Sequence, residues 1–545
     1  RAAWWAQRTV QSQSPDYRDH LWLGHLLMKS GQSLDKAEEH LTQAVRLGEK
    51  HPESWLALIE LLAKHKGDQV PAVLKIKEAE RKLPKDKIDL TLARAYEILK
   101  KDKESEHHFQ KALKALPDSP AVLRQVAIRH LMQRKLKEAE PVLRRMLQLE
   151  KLGKDDESWA RSNLALLLSA GTNFNRFKEA IRLTGLEIDG EGKVVKAAKG
   201  KADFGDQKTL LRLQARTLAT QPAWKIREAA LSRLETLEKQ AGLNLDDQFI
   251  LAQLYNAKGD SQKAHSHLAA LSRKKGVPPQ FMAFYAQSLL AQNEIDGAKR
   301  IIDLLKQMQA QNPTRPIAIA LVELQARWHE ARNEQAKAKA VIDARLKSPE
   351  SKAEESLLLM HFHARQKNFA EARRLLSKVW TDCEAEVAGG AAVALLRAEK
   401  STEKQRQSVL ARLGQALIKH PRRATLHVQV GDVHDLAGDY RKAEEAYRKA
   451  LKIEPGNVMA LNNLAWLLAQ RTDQVKEAER LINRAIEEIG PRGQLLDTRA
   501  IVYLKQNKPR EAQLDLDDAI KEQKTATRAF HQAQVAEAVN DRTKV

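Results

Sequence analysis

The 545-residue sequence predicts an all-α protein built as a solenoid of antiparallel helix pairs. Three observations carry that prediction. Short amphipathic stretches with a helical period recur along most of the chain, joined by brief turns. They pair into units that repeat at about 34 residues, with small and large residues at matched places. Hydrophobic residues make up 43% of the chain and aromatics only 5%, a composition suited to helices stacked on small side chains.

Residues 424–457 show the unit most clearly. One helix runs up to Ala437, Gly438 and Asp439 turn the chain, and a second helix runs from Tyr440 to Ile453 until Pro455 stops it. Gly431, Ala443 and Ala450 are small and let the helices approach; Val430, Tyr447 and Leu451 fill the space beside them. The stretch resembles a tetratricopeptide repeat. Six signature places of that repeat fall in order on Gly431, Gly438, Ala443, Tyr447, Ala450 and Pro455, while His427 and His434 stand where Trp and Tyr are usual. The resemblance implies a right-handed superhelix whose first helices line a concave groove, and a non-catalytic scaffold for protein–protein interaction that binds a peptide or partner helix there.

In chain order, residues 1–185 read as an N-terminal array. Arg1 to Val10 looks like a second helix, followed by units carrying Gly24, Ala37 and Leu41, then Trp55, then Ala93, Tyr96, Phe109 and Ala112, then Ala127, Ala139 and Leu143. Residues 186–208 break the pattern with Gly190, Gly192, Gly200 and Gly205 among Lys193, Lys196, Lys199, Lys201 and Lys208, and read as an exposed basic loop. Residues 209–386 resume the array, strongest through Ala252, Tyr255, Gly259 and Ala264. Residues 387–423 form a divergent helix pair that lacks most signature residues. Residues 424–545 are a C-terminal array that ends inside a repeat at Val545. With both ends inside repeats, the chain reads as a segment of a longer protein, and an array that serves as the targeting arm of an enzyme is one of the alternatives.

Lys and Arg total 93 against 71 acids, a formal charge of +22. Acids interrupt most basic runs at helical spacing, as in Lys100-Lys101-Asp102-Lys103-Glu104, so the charge reads as a dispersed solvated face. Scarce aromatics leave few platforms for base stacking, and a basic solenoid binding RNA or another anionic polymer stands as the alternative partner class. Cys383 is the only cysteine, which excludes internal disulfides and favours a reducing compartment, the cytoplasm; a periplasmic or membrane-tethered placement is the alternative. No apolar run approaches the ~20 residues of a membrane span.

No catalytic motif and no cofactor site emerges. His329-Glu330 begins like a zinc-protease motif, but Asn333 stands where the second ligand is required. His265 and His267, like His361 and His363, are two apart on helices and point to different sides. Asp515, Asp517 and Asp518 lack the glycine turn of a calcium loop.

The expected site is the groove. The resemblance places Lys87, Arg94, Arg124, Asn163, Phe249, Asn256, Gln287, Asn462, Asn463 and Trp466 at groove positions, with His361 and Arg365 beside them. Asn163 and Asn463 occupy equivalent places, where an amide can bind a ligand's backbone or carboxylate, or bond to a neighbouring helix. A clamp for a chaperone's C-terminal carboxylate needs further basic groups. Val428 and Asp432 before Asn463, and Gln494 and Thr498 after it, do not supply them.

Overall fold

In the computed structural model, residues 14–31, 33–65, 69–190, 192–197, 206–471 and 473–539 are described. They form two compact units, one ending at Leu167 and the other beginning at Leu168. Both are built from α-helices in antiparallel pairs. The segment read as a helix at residues 1–10, and the turn read at 540 and 541, lie outside the described residues.

The local causes recur from pair to pair. In the helix Tyr440–Ile453 the Asp439 side chain caps the first turn by accepting from the Lys442 N–H. Ala443, Ala446, Tyr447 and Ala450 form its buried stripe. Gly431, on the preceding helix Ala424–Leu436, lies so close that a Cβ there would sit 2.5 Å from the Tyr447 ring. Gly24 meets Leu41 in the same way in the first unit.

In many pairs the turn between the two helices holds a left-handed residue, and Gly31, Gly259 and Gly438 supply it at φ of +65°, +83° and +76°. In other pairs the same turn is taken by Lys100, Arg134, Asn293, Asn333, Lys367 and Asn507, all with φ between +56° and +60°. The backbone geometry therefore persists where the glycine signature has gone.

Residues 186–190 and 192–197 are more ordered than the sequence suggests. Leu186–Ile188 and Val194–Lys196 pair as an antiparallel hairpin, with Ile188 opposite Val194. They are the only strands among the described residues. Leu186 is buried, and Ile188 and Val194 pack on the core around Phe177, Leu218 and Ile226. Three-residue strands are too short for a two-residue period to register in a sequence.

The second unit also closes on itself. Phe174–Leu183 packs against Val475–Ile489, and Trp224–Ala241 packs against Pro509–Glu522. Phe174 presses on Gly490, where a Cβ would lie 2.7 Å from the ring, and Lys225 pairs with Asp518 at 2.8 Å. This unit is a ring of helix pairs rather than an open array.

Candidate functional site

Three first helices of the second unit, Gln207–Ala219, Leu245–Lys258 and Pro279–Ala291, build a groove. Their mutual placement begins with Asp247. It is fully buried and held between Arg212 and Arg216, each at 2.6 Å, while Asn244 caps the same helix and accepts from Arg216 at 3.1 Å. A buried carboxylate between two guanidiniums is stable only while both pairs persist, so it pins one helix against the next. Phe249 stacks on Phe281 with centroids 3.7 Å apart and meets Phe284 edge-on at 5.5 Å. These rings tie the second of the three helices to the third.

The result is a pocket of about 400 Å³. Ile250, Leu254, Ala257 and Phe284 give it an apolar surface; Asn256, Arg216 and Arg227 give it polar groups. The Asn256 side-chain oxygen Oδ1 accepts from the Ser288 hydroxyl at 2.8 Å, and no acceptor among the described residues takes its side-chain amide hydrogens. Arg227 donates through Nε to the Gln221 carbonyl at 3.0 Å, and its terminal nitrogens have no hydrogen-bond partner among the described residues. Burial holds its pKa below the usual arginine value, with Glu522 opposing that effect and Arg492 adding to it. It remains a cation, because guanidinium does not deprotonate in proteins. The site thus offers an apolar surface beside an amide donor and a partly desolvated positive charge.

The sequence-predicted groove residues divide among different environments. Asn256 lines this pocket and Phe249 supports it through Phe284. Gln287 is exposed on the helix Pro279–Ala291. In the first unit, Lys87 and Arg94 are exposed, and their side chains make no hydrogen bond within the described residues. Arg124 pairs with Asp156 at 2.6 Å and covers the Trp159 ring at 4.9 Å, while the Asn163 amide donates to the Trp159 carbonyl at 2.8 Å. Asn463 donates to Asp432 at 2.8 Å, and Asn462 to Asn463 at 3.1 Å. Trp466 lies 5.5 Å from the His531 ring. His361 is exposed, and Arg365 pairs with Glu330 at 2.7 Å.

Arg216, Arg227, Ile250 and Phe284 are pocket residues that the sequence reading missed. Arg227 comes from the start of a second helix, outside the first-helix groove positions, and ring closure brings Glu522 and Arg492 near it.

Other residues singled out in the sequence have structural partners. His329 bonds to Glu334 at 2.7 Å, Asp515 is held by Arg499 at 2.6 Å, and Asp518 pairs with Lys225. Burial pushes the Cys383 thiol up, away from the thiolate that reactivity requires. Among the described residues, no helix is long and apolar enough to cross a membrane.

Tetratricopeptide-repeat family models match residues 406–457 and 436–497. No curated protein sequence matches the chain. Solved structures similar to it include the APC/C hetero-tetramer Cut9–Hcn1, at TM-score 0.41 and 11% identity over 95% of this chain and 96% of that one. Yeast Tom70 follows at 0.39 and 13%, over 97% and 96%, and Naa15/Naa10 bound to HypK-THB at 0.32 and 13%, over 99% and 93%.

Proposed function

This chain is a tetratricopeptide-repeat protein, and we propose that it works as a non-catalytic scaffold that binds a protein partner along the first helices of its second unit. The observation that carries the reading is the pocket beside Phe284, where apolar surface, the Asn256 amide donors and the Arg227 cation converge. An extended peptide fits that chemistry: an apolar side chain against Ile250, Leu254 and Phe284, a backbone carbonyl on Asn256, and an acidic group near Arg227. Apolar anchoring with a few placed polar groups is the usual basis of such recognition.

The test is affinity capture with quantitative mass spectrometry, comparing the native chain with Phe284→Ala and Asn256→Ala. Partners of this groove should be depleted in both variants and retained by Tyr440→Ala, an exposed change on a distant helix. A direct titration of each captured partner should then show a 10-fold or larger loss of affinity for Phe284→Ala, the range of about 1.4 kcal/mol or more expected of an interface anchor. Equal capture by all four proteins would refute the groove.

A further inference from the structure

The helix pair Ala385–Ala398 and Glu403–Lys419 departs from its neighbours in a way that builds a second, separate pocket. Gly389 lies closest to Gln429 on the next first helix and, within its own pair, sits against Leu413, as Gly431 sits against Tyr447. The chain from Gly389 to Leu413 is longer by about eight residues than that from Gly431 to Tyr447, so roughly one extra helical turn of each helix lies between this contact and the connecting turn. It is also the least closely packed pair of this unit among the described residues. The extra turns rise beside the preceding second helix, Phe369–Asp382, and enclose a pocket of about 130 Å³.

Leu376, Trp380, Leu395, Leu396 and Val409 make its walls apolar. One polar group inside is unusual. The Glu399 side chain is only 8% exposed; one oxygen pairs with Arg373, and the other is buried with no hydrogen-bond donor among the described residues. A buried acceptor without a donor costs about 1–3 kcal/mol, so a ligand that brings an N–H to it regains that energy. At the mouth, Arg412 is exposed and makes no ion pair within the described residues.

We infer that this pocket is a docking site for one apolar side chain of a protein partner, whose backbone N–H donates to Glu399 and whose acidic neighbours face Arg412. The size selects that occupant. An apolar cavity of ~150 Å³ holds a benzene-sized group, so this space takes one leucine-sized side chain, whereas drug-sized ligands need about 300 Å³ or more. The charge selects its flanks: two arginines at the pocket outweigh one carboxylate, which disfavours lysine neighbours. The pocket is lined by the second helices Phe369–Asp382 and Glu403–Lys419 and by the first helix Ala385–Ala398, apart from the Phe284 groove, and its occupation does not depend on that groove binding anything.

The probe is the capped tripeptide acetyl-Asp-Leu-Asp-amide, compared with acetyl-Lys-Leu-Lys-amide by saturation-transfer NMR and titration on the whole chain. The native protein should transfer saturation to the leucine methyls of the acidic peptide and bind the basic one at least threefold more weakly. Val409→Phe should fill the pocket and abolish transfer. Glu399→Gln should weaken binding threefold or more, and Arg412→Glu should reverse the preference for flanks. Phe284→Ala should change nothing, which keeps this site distinguishable from the groove. Circular dichroism establishes that each variant folds; if Val409→Phe does not, the Glu399 and Arg412 variants carry the test. No transfer in the native chain, undiminished transfer in a folded Val409→Phe, or no change in either of the other two variants overturns the inference.

Discussion

At the scale of single residues, the glycines separate two roles that look alike in sequence. Gly431 is obligatory because Tyr447 occupies the space of its missing side chain. Gly431→Ala should cost about 1–3 kcal/mol, the range for overpacking a core. Gly414, within the helix Glu403–Lys419, has open space where a Cβ would go. Gly414→Ala should therefore stabilise by about 0.5–1 kcal/mol through helix propensity. Urea melts of both variants check the pair, and a loss at Gly414 would show that its backbone is needed for something other than packing.

The left-handed turn residues give a second contrast. Lys100, Arg134 and Lys367 bear Cβ strain of about 1–2 kcal/mol. Their replacement by Gly should raise stability by up to about 1 kcal/mol, after the entropy that glycine adds to the unfolded chain. Asn507→Gly should gain less, since asparagine tolerates this conformation.

His40 supplies a pH dependence. Its Nδ1 lies 2.9 Å from that of His20, and burial, then the neighbouring His20, lowers its pKa, with Lys36 adding to that and Glu39 opposing it. The unfolded chain then binds more protons than the native one just below the ordinary histidine value of 6.5. Stability from this group is present above 6.5 and is lost as pH falls toward the lower folded value. Melts of the native chain and His40→Gln between pH 7.5 and 5 should converge at the acidic end; a constant difference would show that His40 does not titrate with folding.

At the scale of elements, the divergent pair 385–398 and 403–419 shows how a repeat changes role. Like its neighbours, it sets a large second-helix residue, Leu413, against a small first-helix one, Gly389. This pair is loosely packed and keeps a cavity. Nearest-neighbour contacts carry most of the stability in a repeat array, so this pair should open more readily. Amide exchange should be faster in residues 385–419 than in 245–312, where Phe249, Phe281 and Phe284 bind adjacent helices together. Equal protection would mean that the cavity is not a weak point.

At the scale of the molecule, closure of the second unit and its charge distribution set what the surface can do. Lys225 and Asp518 lie 2.8 Å apart, though far apart in sequence. A zero-length carbodiimide should therefore cross-link them within one chain, and tryptic mapping that fails to find the linked peptides would argue for an open array. The positive charge is widely paired, as with Arg448 between Glu444 and Glu477 or Arg129 between Glu97 and Glu106. Single-stranded RNA should accordingly bind weakly, without sequence preference, and be released near physiological salt, where each phosphate contact contributes a log–log slope of about −0.7. Sequence-selective retention there would make nucleic acid a partner. Of the lysines at 193, 196, 199 and 201, the last two lie outside the described residues.

What the sequence by itself determined is the repeat: helix pairs, their turns, and the small–large partners such as Gly431 with Tyr447. These depend on contacts between residues close in the chain, and such contacts leave a period. Of the residues at the proposed groove, Asn256 and its support Phe249 were legible, because first-helix positions recur at that same period. Ring closure was not legible. Phe174 with Gly490 and Lys225 with Asp518 join segments with no shared period, and their meeting follows from small rotations added over many pairs. The pocket at Glu399 needed the tertiary structure for a related reason: the extra turns blur the spacing that marks a repeat, and only packing shows that they enclose a space.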